Sequence, residues 1–115
     1  MGMTTDELLA LVLETLDDIK ALDVRSVDVR GKSSITDIMV IASGTSDRHV
    51  KSIAERVALE AKNHGVPPIG VEGEQGADWV LVDLNDVVLH VMLPATRDFY
   101  NLEKLWEMDQ AAGEG

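Results

Sequence analysis

The stretch Asp37–Lys51, with the sequence DIMVIASGTSDRHVK, predicts a buried strand, a turn of small residues and the start of a helix. The strand is expected at Ile35–Ala42, where only Thr36 and Asp37 interrupt the apolar run, and this pattern is typical of a central strand covered on both faces. Ser46 is the expected N-cap of the helix, because its hydroxyl can accept a backbone N–H of the first turn. A buried strand that leads directly into an amphipathic helix indicates an α/β fold.

Hydrophobic periodicity and turn residues on both sides of this stretch predict the remaining elements. Thr4 and Glu7 form a capping-box pattern at the start of a first helix. Gly65 is expected to end the second helix in a left-handed conformation, since glycine adopts positive φ without steric cost. In chain order the expected elements are helix Thr5–Leu22, strand Val24–Arg30, strand Ile35–Ala42, helix Ser46–His64, strand Ile69–Glu72, the hairpin strands Trp79–Leu84 and Val87–Leu93, a helical turn Ala95–Tyr100 and a helix Asn101–Met108.

This order, α-β-β-α-β-β-β-α, predicts the fold class. We expect an α/β protein with a mixed five-stranded sheet flanked by helices. A length of 115 residues fits a single domain. The predicted domain spans residues 1–115, with a core from about residue 5 to residue 108.

The composition excludes several classes of protein and site. No cysteine is present, which excludes disulfides and thiolate metal ligands. No apolar run approaches the ~20 residues that span a bilayer, and the N-terminal MGMTTDELL lacks the basic start of a signal peptide. The formal net charge of −11 disfavours phosphate backbones as a main contact. We therefore expect a cytoplasmic protein that binds no membrane and makes no main contact with nucleic acid.

The negative charge is concentrated in the C-terminal part of the chain. From Glu72 onward, ten acidic residues stand against only Arg97 and Lys104. An acidic half of this kind is attracted to a basic protein surface. Surface charge by itself, however, is also explained by solubility.

The Ser43–Ser46 turn is a candidate for phosphate binding, because backbone N–H groups at a helix N-terminus can face an anion. Nucleotidyl transfer would also require two carboxylates on a following strand to hold a divalent metal ion. The nearest candidates, Asp83 and Asp86, lie three residues apart across a predicted hairpin turn. A turn that caps a helix is therefore the favoured interpretation, and a nucleotidyltransferase-like enzyme or nucleotide sensor stays the alternative.

The histidines do not predict a metal centre. Nothing in the spacing of His49, His64 and His90 brings together the three or more ligands that a metal site needs. His90 shares a strand face with Val88 and Met92, and we expect it to be partly buried with one hydrogen bond. We predict no metal, no cofactor and no catalytic residue.

Aromatic side chains are few, and most of them lie close together in the sequence. The segment Arg97–Trp106, RDFYNLEKLW, holds three of the four in the chain. Tyrosine, tryptophan and arginine dominate binding hot spots, but a short terminal helix also needs anchors to the sheet. The fourth aromatic residue, Trp79, is expected on one strand face with Leu81 and Asp83, either as a docking point or packed against the first helix. The sequence leaves core and interface roles open for these side chains.

Three separated blocks resemble the ribosomal silencing factor family, also called the Iojap-like family. They are Asp37–Lys51, Glu72–Pro94 (EGEQGADWVLVDLNDVVLHVMLP) and Arg97–Trp106, within a resemblance that runs from about Ile35 to Trp106. The resemblance implies a nucleotidyltransferase-like topology without the catalytic carboxylate pair, and a protein that is not an enzyme. It also implies a homodimer that docks on the large ribosomal subunit through that subunit's small basic protein fourteen, blocks association with the small subunit and represses translation.

The resemblance and the charge together predict a docking surface of aromatic, acidic and amide side chains with one arginine. A surface of this kind acts by steric exclusion, since no bond is made or broken. Its predicted members are Trp79, Asp83, Arg97, Tyr100, Asn101, Glu103 and Trp106.

Overall fold

The helices and strands of the computed structural model follow the predicted order along the residues that it describes, which are 3–31, 36–73 and 78–100, without the side chains of residues 99 and 100. They are α1 (Thr5–Asp18), β1 (Leu22–Asp28), β2 (Ile38–Ser43), α2 (Asp47–Asn63), β3 (Gly70–Glu72), β4 (Trp79–Asp83), β5 (Val87–Met92) and α3 (Pro94–Tyr100). None of these three helices is long and apolar enough to cross a bilayer. The helix predicted at Asn101–Met108 lies outside the described residues.

The five strands of the described chain form one mixed sheet in the order β1-β2-β5-β4-β3. β2 and β5 run parallel, and the β1–β2, β4–β5 and β3–β4 pairs are antiparallel. All six residues of the central strand β5 are buried, as are five of the six in β2. The predicted α/β fold with a mixed five-stranded sheet is therefore confirmed.

α1 begins where the sequence predicts and ends earlier than predicted. Thr4 Oγ1 accepts the Glu7 N–H at 3.1 Å, and Glu7 Oε1 accepts the Thr4 N–H at 2.9 Å, so the predicted capping box is present. At the other end Lys20 has a φ of 59°, and the Ala21 N–H donates to Leu16 O at 2.9 Å. This Schellman-type ending is built on a lysine, so no glycine in the sequence marks it.

α2 has both of its predicted ends. Ser46 Oγ accepts the His49 N–H at 3.1 Å, which confirms Ser46 as the N-cap. Gly65 has a φ of 86°, and the Val66 N–H donates to Ala61 O at 2.8 Å. The helix therefore ends in the left-handed glycine turn that the sequence predicts.

One face of the sheet packs against α1 and α2 and forms the core. The inner side of α2 is made of buried apolar side chains and the half-buried Ala58. The buried ones are Val50, Ile53, Ala54, Val57 and Ala61. In α1 the buried stripe is centred on Leu8, Val12 and Leu16, and the partly buried Leu9 packs at its margin. The sheet and its hairpin contribute Ile38, Val40, Ala42, Val80, Val82, Leu84, Val87, Leu89 and Val91. This packing leaves the opposite face of the sheet for other contacts.

Candidate functional site

The face of the sheet that points away from α1 and α2 holds two of the predicted docking residues. Its members follow from strand register, because residues two apart on a strand point to the same side. We call it the second face; its side chains are Met39, Ile41 and Ser43 of β2, Val88, His90 and Met92 of β5, and Trp79, Leu81 and Asp83 of β4. The β2 and β5 members are buried, except for the half-buried Met39, whereas all three β4 members are half-buried. The accessible part of the second face therefore lies mainly along β4.

Trp79 is joined to His90 across the β4–β5 pair. The indole Nε1–H donates to His90 Nδ1 at 3.1 Å, and the two ring centroids lie 6.0 Å apart with an interplanar angle of 49°. Trp79 is opposite Met92 and Leu81 is opposite His90, so the two rings are diagonal neighbours. Trp79 is half-buried, and its indole is held by a directional bond.

Burial keeps His90 neutral. The residue is 6% exposed, and loss of solvation lowers the pKa of its imidazole to about 4. Because the indole N–H can only donate, Nδ1 is the unprotonated nitrogen of the neutral ring and Nε2 carries the proton. The predicted hydrogen bond of His90 is present, and the residue is more deeply buried than predicted.

Asp83 lies at the end of β4, and its carboxylate shapes the hairpin turn. Oδ1 accepts the Asn85 N–H at 2.8 Å, and Asn85 has a φ of 74°, a left-handed conformation that asparagine tolerates. The Asp86 carboxylate has a different neighbour, since its Oδ2 accepts the Thr5 hydroxyl at 3.2 Å. The two carboxylates therefore serve separate bonds, and no group of acidic or histidine side chains in the described residues is arranged to hold a metal ion.

Arg97 is buried where α3 meets the ends of two strands. The residue is 7% exposed, and its Nη1 donates to Asp23 O at 2.6 Å and to Ser43 Oγ at 3.1 Å. These bonds tie α3 to β1 and β2, a structural role that the sequence does not indicate. A direct contact between Arg97 and a partner stays a prediction, and burial leaves little of the side chain to make one.

The other predicted docking residues lie at or beyond the end of α3. Tyr100 is the last residue of α3, and its side chain is not among those described. Asn101, Glu103 and Trp106 lie outside the described residues. Their part in docking stays a prediction from the sequence.

The Ser43–Ser46 turn is closed by internal hydrogen bonds. The Gly44 N–H donates to Met92 O at 3.2 Å, and the Thr45 N–H donates to His49 Nδ1 at 2.9 Å. Two of the N–H groups that could face a phosphate are thus used within the fold. This supports the interpretation of a structural turn that caps a helix, and no contact in the described residues favours the nucleotide-binding alternative.

The partners of two histidine hydrogen bonds are absent from the predictions made from the sequence. His49 Nε2–H donates to Ile19 O at 2.9 Å, and this bond depends on the end of α1 lying beside the start of α2, for which no local pattern exists. The Trp79–His90 bond does have a signal in the sequence. A hairpin that turns at Asn85 and the following residue places Trp79 and His90 diagonally across two strands.

Comparison with known proteins finds the same family over nearly the whole chain. Residues 3–114 match the family described as Ribosomal silencing factor during starvation. A protein of Haemophilus influenzae named Ribosomal silencing factor RsfS is 46% identical over 99 residues, which cover 86% of this chain and 97% of that protein. A mouse protein named Mitochondrial assembly of ribosomal large subunit protein 1 is 35% identical over 101 residues, which cover 85% of this chain and 44% of that protein. The crystal structure of a Chromobacterium violaceum protein is similar with a TM-score of 0.89 at 44% identity, over 91% of this chain and 88% of that chain.

Proposed function

The chain belongs to the ribosomal silencing factor family, and from this premise we propose that it docks on the large ribosomal subunit and blocks association with the small subunit. The contact on the large subunit is its small basic protein fourteen. Translation is repressed because the joining surface is occupied, and the protein makes or breaks no bond. The resemblance carried by the three sequence blocks is confirmed; the partner and the steric mechanism are the proposal.

The half-buried indole of Trp79 on the second face is the observation that carries this proposal. Tryptophan is among the side chains that most often form interface hot spots. Asp83 lies on the same strand face, four residues further along β4, and adds a negative charge to that face. A strand face that carries both an apolar ring and a carboxylate fits a protein surface rich in lysine and arginine.

The charge of the chain supports a protein as the contact on the ribosome. A net charge of −11 is repelled by ribosomal RNA and attracted to a basic ribosomal protein. The mouse relative carries the assembly of the ribosomal large subunit in its name, which supports the large subunit as the partner of this chain as well. Charge attraction of this kind increases the rate of encounter and weakens as salt concentration rises.

The remaining parts of the proposal rest on the family resemblance. Further members of the docking surface are Tyr100, the last residue of α3, and Asn101, Glu103 and Trp106, which follow it in the sequence. The protein acts in the cytoplasm as a homodimer, a common state for proteins that expose a self-complementary surface.

Sedimentation with isolated ribosomal components tests this function. We expect the wild-type chain to sediment with large subunits and to remain in solution with small subunits or stripped ribosomal RNA. Truncation of a central anchor costs on the order of 2 kcal/mol of binding free energy. Trp79→Ala should therefore weaken binding to large subunits by about 30-fold.

Leu59→Ala is the matched control for this experiment. Leu59 is 52% exposed on α2, so the variant removes a large exposed apolar side chain away from the second face. It should bind large subunits like the wild type. Thermal unfolding of both variants shows whether weaker binding comes from a lost contact or from unfolding of the protein. Binding of the wild type to stripped RNA would contradict the proposal, and so would undiminished binding of Trp79→Ala to large subunits.

A further inference from the structure

We propose that His90 is a positioning residue for docking, which holds the Trp79 indole so that the partner meets the face of the ring while its N–H stays bonded inside the protein. This inference rests on the docking function proposed above. It assigns to a buried histidine a role in binding, and it specifies which part of the tryptophan makes the contact.

The geometry of the two rings supports this role. Nε1 is the one polar atom of an indole and lies far from the backbone, so a hydrogen bond at that atom restrains both side-chain torsions. The bond to His90 Nδ1 is 3.1 Å long, and the rings are tilted by 49° with their centroids 6.0 Å apart. The indole is therefore fixed at its far end as well as at its Cβ.

The hydrogen-bond acceptor, His90, lies on the most buried strand of the sheet. β5 is the central strand, all six of its residues are buried, and it pairs with β2 on one side and β4 on the other. His90 lies between Ile41 and Leu81 in this ladder, so its imidazole has little freedom to shift. Because its hydrogen-bond acceptor is fixed in this way, the Trp79 side chain is ordered before binding. This removes the entropy cost of ordering it in the complex.

The same bond decides what the partner can touch. With the N–H of Trp79 engaged inside the protein, the accessible part of the indole offers carbon and the π face. The face of a tryptophan ring attracts lysine and arginine cations and also packs on their aliphatic stems. A basic protein surface therefore presents the group that this orientation of the ring can receive, and a partner that needs a donor from the ring would find none.

Burial supports the direction of the bond. The imidazole must be neutral for Nδ1 to accept, and the pKa of His90 is lowered to about 4 by loss of solvation. The acceptor is thus present throughout the neutral pH range.

Two substitutions of His90 separate the hydrogen bond from the packing. His90→Asn places an amide oxygen close to the position of Nδ1 and so keeps a hydrogen-bond acceptor for the indole N–H. His90→Leu keeps the side-chain volume but removes the acceptor. The readout is the indole N–H of Trp79 in nitrogen-15 NMR spectra, assigned by its loss in Trp79→Phe because the chain holds two tryptophans. We expect solvent exchange of this proton to become about 10-fold faster in His90→Leu and to stay close to the wild-type rate in His90→Asn.

Backbone amides of the core report whether the fold survives these changes. Val80 and Val91 pair across β4 and β5 and face the core side of the sheet, so their protection should be unchanged in both variants. If exchange of the Trp79 indole proton stayed at the wild-type rate in His90→Leu, His90 would not hold the ring and the proposal would be overturned.

A double-mutant cycle on large-subunit binding then tests the role in docking. His90→Leu should weaken binding by about 10-fold in the wild-type background and by less than about 2-fold in a Trp79→Phe background, because the effect passes through the indole N–H. His90→Asn should restore binding to near the wild-type value. If the wild-type chain binds and His90→Leu binds equally well, this proposal falls while the docking function stands; if the wild-type chain does not bind, both fall.

Discussion

At the scale of single residues, His90 places a titratable group in a strand whose other five residues are apolar. Burial of a charged imidazolium costs more than burial of the neutral ring, and Trp79 supplies a donor for the unprotonated nitrogen. Folding therefore selects the neutral form and lowers the pKa of the imidazole from 6.5 to about 4. This shift links the stability of the whole protein to pH.

The free energy of unfolding should decrease as the pH is lowered between the two pKa values of His90. Unfolded His90 takes up a proton near pH 6.5 and folded His90 only near pH 4, so the unfolded state binds more protons between these values. The stabilisation is complete above the upper value and is lost as pH falls toward the lower one, with a size of about 3 kcal/mol. Urea unfolding at about pH 7 and about pH 4 should show that the wild type loses about 3 kcal/mol more than His90→Asn.

His90→Asn is the control for the wild type in this comparison, because the carboxylates of the chain titrate in both proteins. Only the extra loss in the wild type reports on His90. Equal losses of unfolding free energy in the wild type and His90→Asn would show that another group dominates the acid response.

At the scale of elements, the turn between β2 and α2 sets how closely the helix approaches the strand end. A Cβ at Gly44 would come within 2.8 Å of the backbone N and of Cγ2 of Val50. Ser46 caps α2 from the same turn, and His49 reaches from its first turn to the end of α1. The small residues of this turn are therefore explained by close packing of two helices and a strand.

Gly44→Ala should destabilise the protein by about 2 kcal/mol or more, because the added methyl group would force α2 away from β2. Gly70→Ala is the matched control, since a Cβ there meets no atom within 4 Å. That control should leave the free energy of unfolding unchanged or raise it by up to about 1 kcal/mol. Urea midpoints at neutral pH measure both, and similar effects of the two substitutions would rule out close packing as the reason for Gly44.

Elements with local signals could be predicted from the sequence, and contacts between distant segments could not. The capping box, the Ser46 cap and the Gly65 ending all depend on residues within one or two turns of each other. The end of α1 is predicted too late because Lys20 adopts the left-handed conformation without being a glycine. Its positive φ depends on the chain that follows, which turns directly into β1.

The same distinction applies to the candidate site. Strand alternation is a local pattern, and it correctly placed Trp79 and Asp83 on one face. The burial of Arg97 depends on bonds to Ser43 and Asp23, which lie 54 and 74 residues away in the sequence. No periodicity or spacing reports contacts over such separations, so the sequence favoured a surface role for a side chain that the fold encloses.

At the scale of the whole molecule, the two faces of the sheet have different neighbours. The core face is covered by α1 and α2, whereas β4 presents half-buried side chains on the second face. The chain also carries a net charge of −11, which directs it toward basic surfaces. Under the proposed function, an acidic domain that attaches through one side of its sheet excludes the competing subunit by its bulk.

Light scattering of mixed large and small ribosomal subunits tests this steric mechanism most directly. With increasing amounts of the wild-type protein, we expect the amount of joined subunits to fall toward zero as the large subunit becomes saturated. Trp79→Ala should require about 30-fold more protein for the same effect. Subunits that join normally while the wild-type protein saturates the large subunit would contradict the proposed steric block.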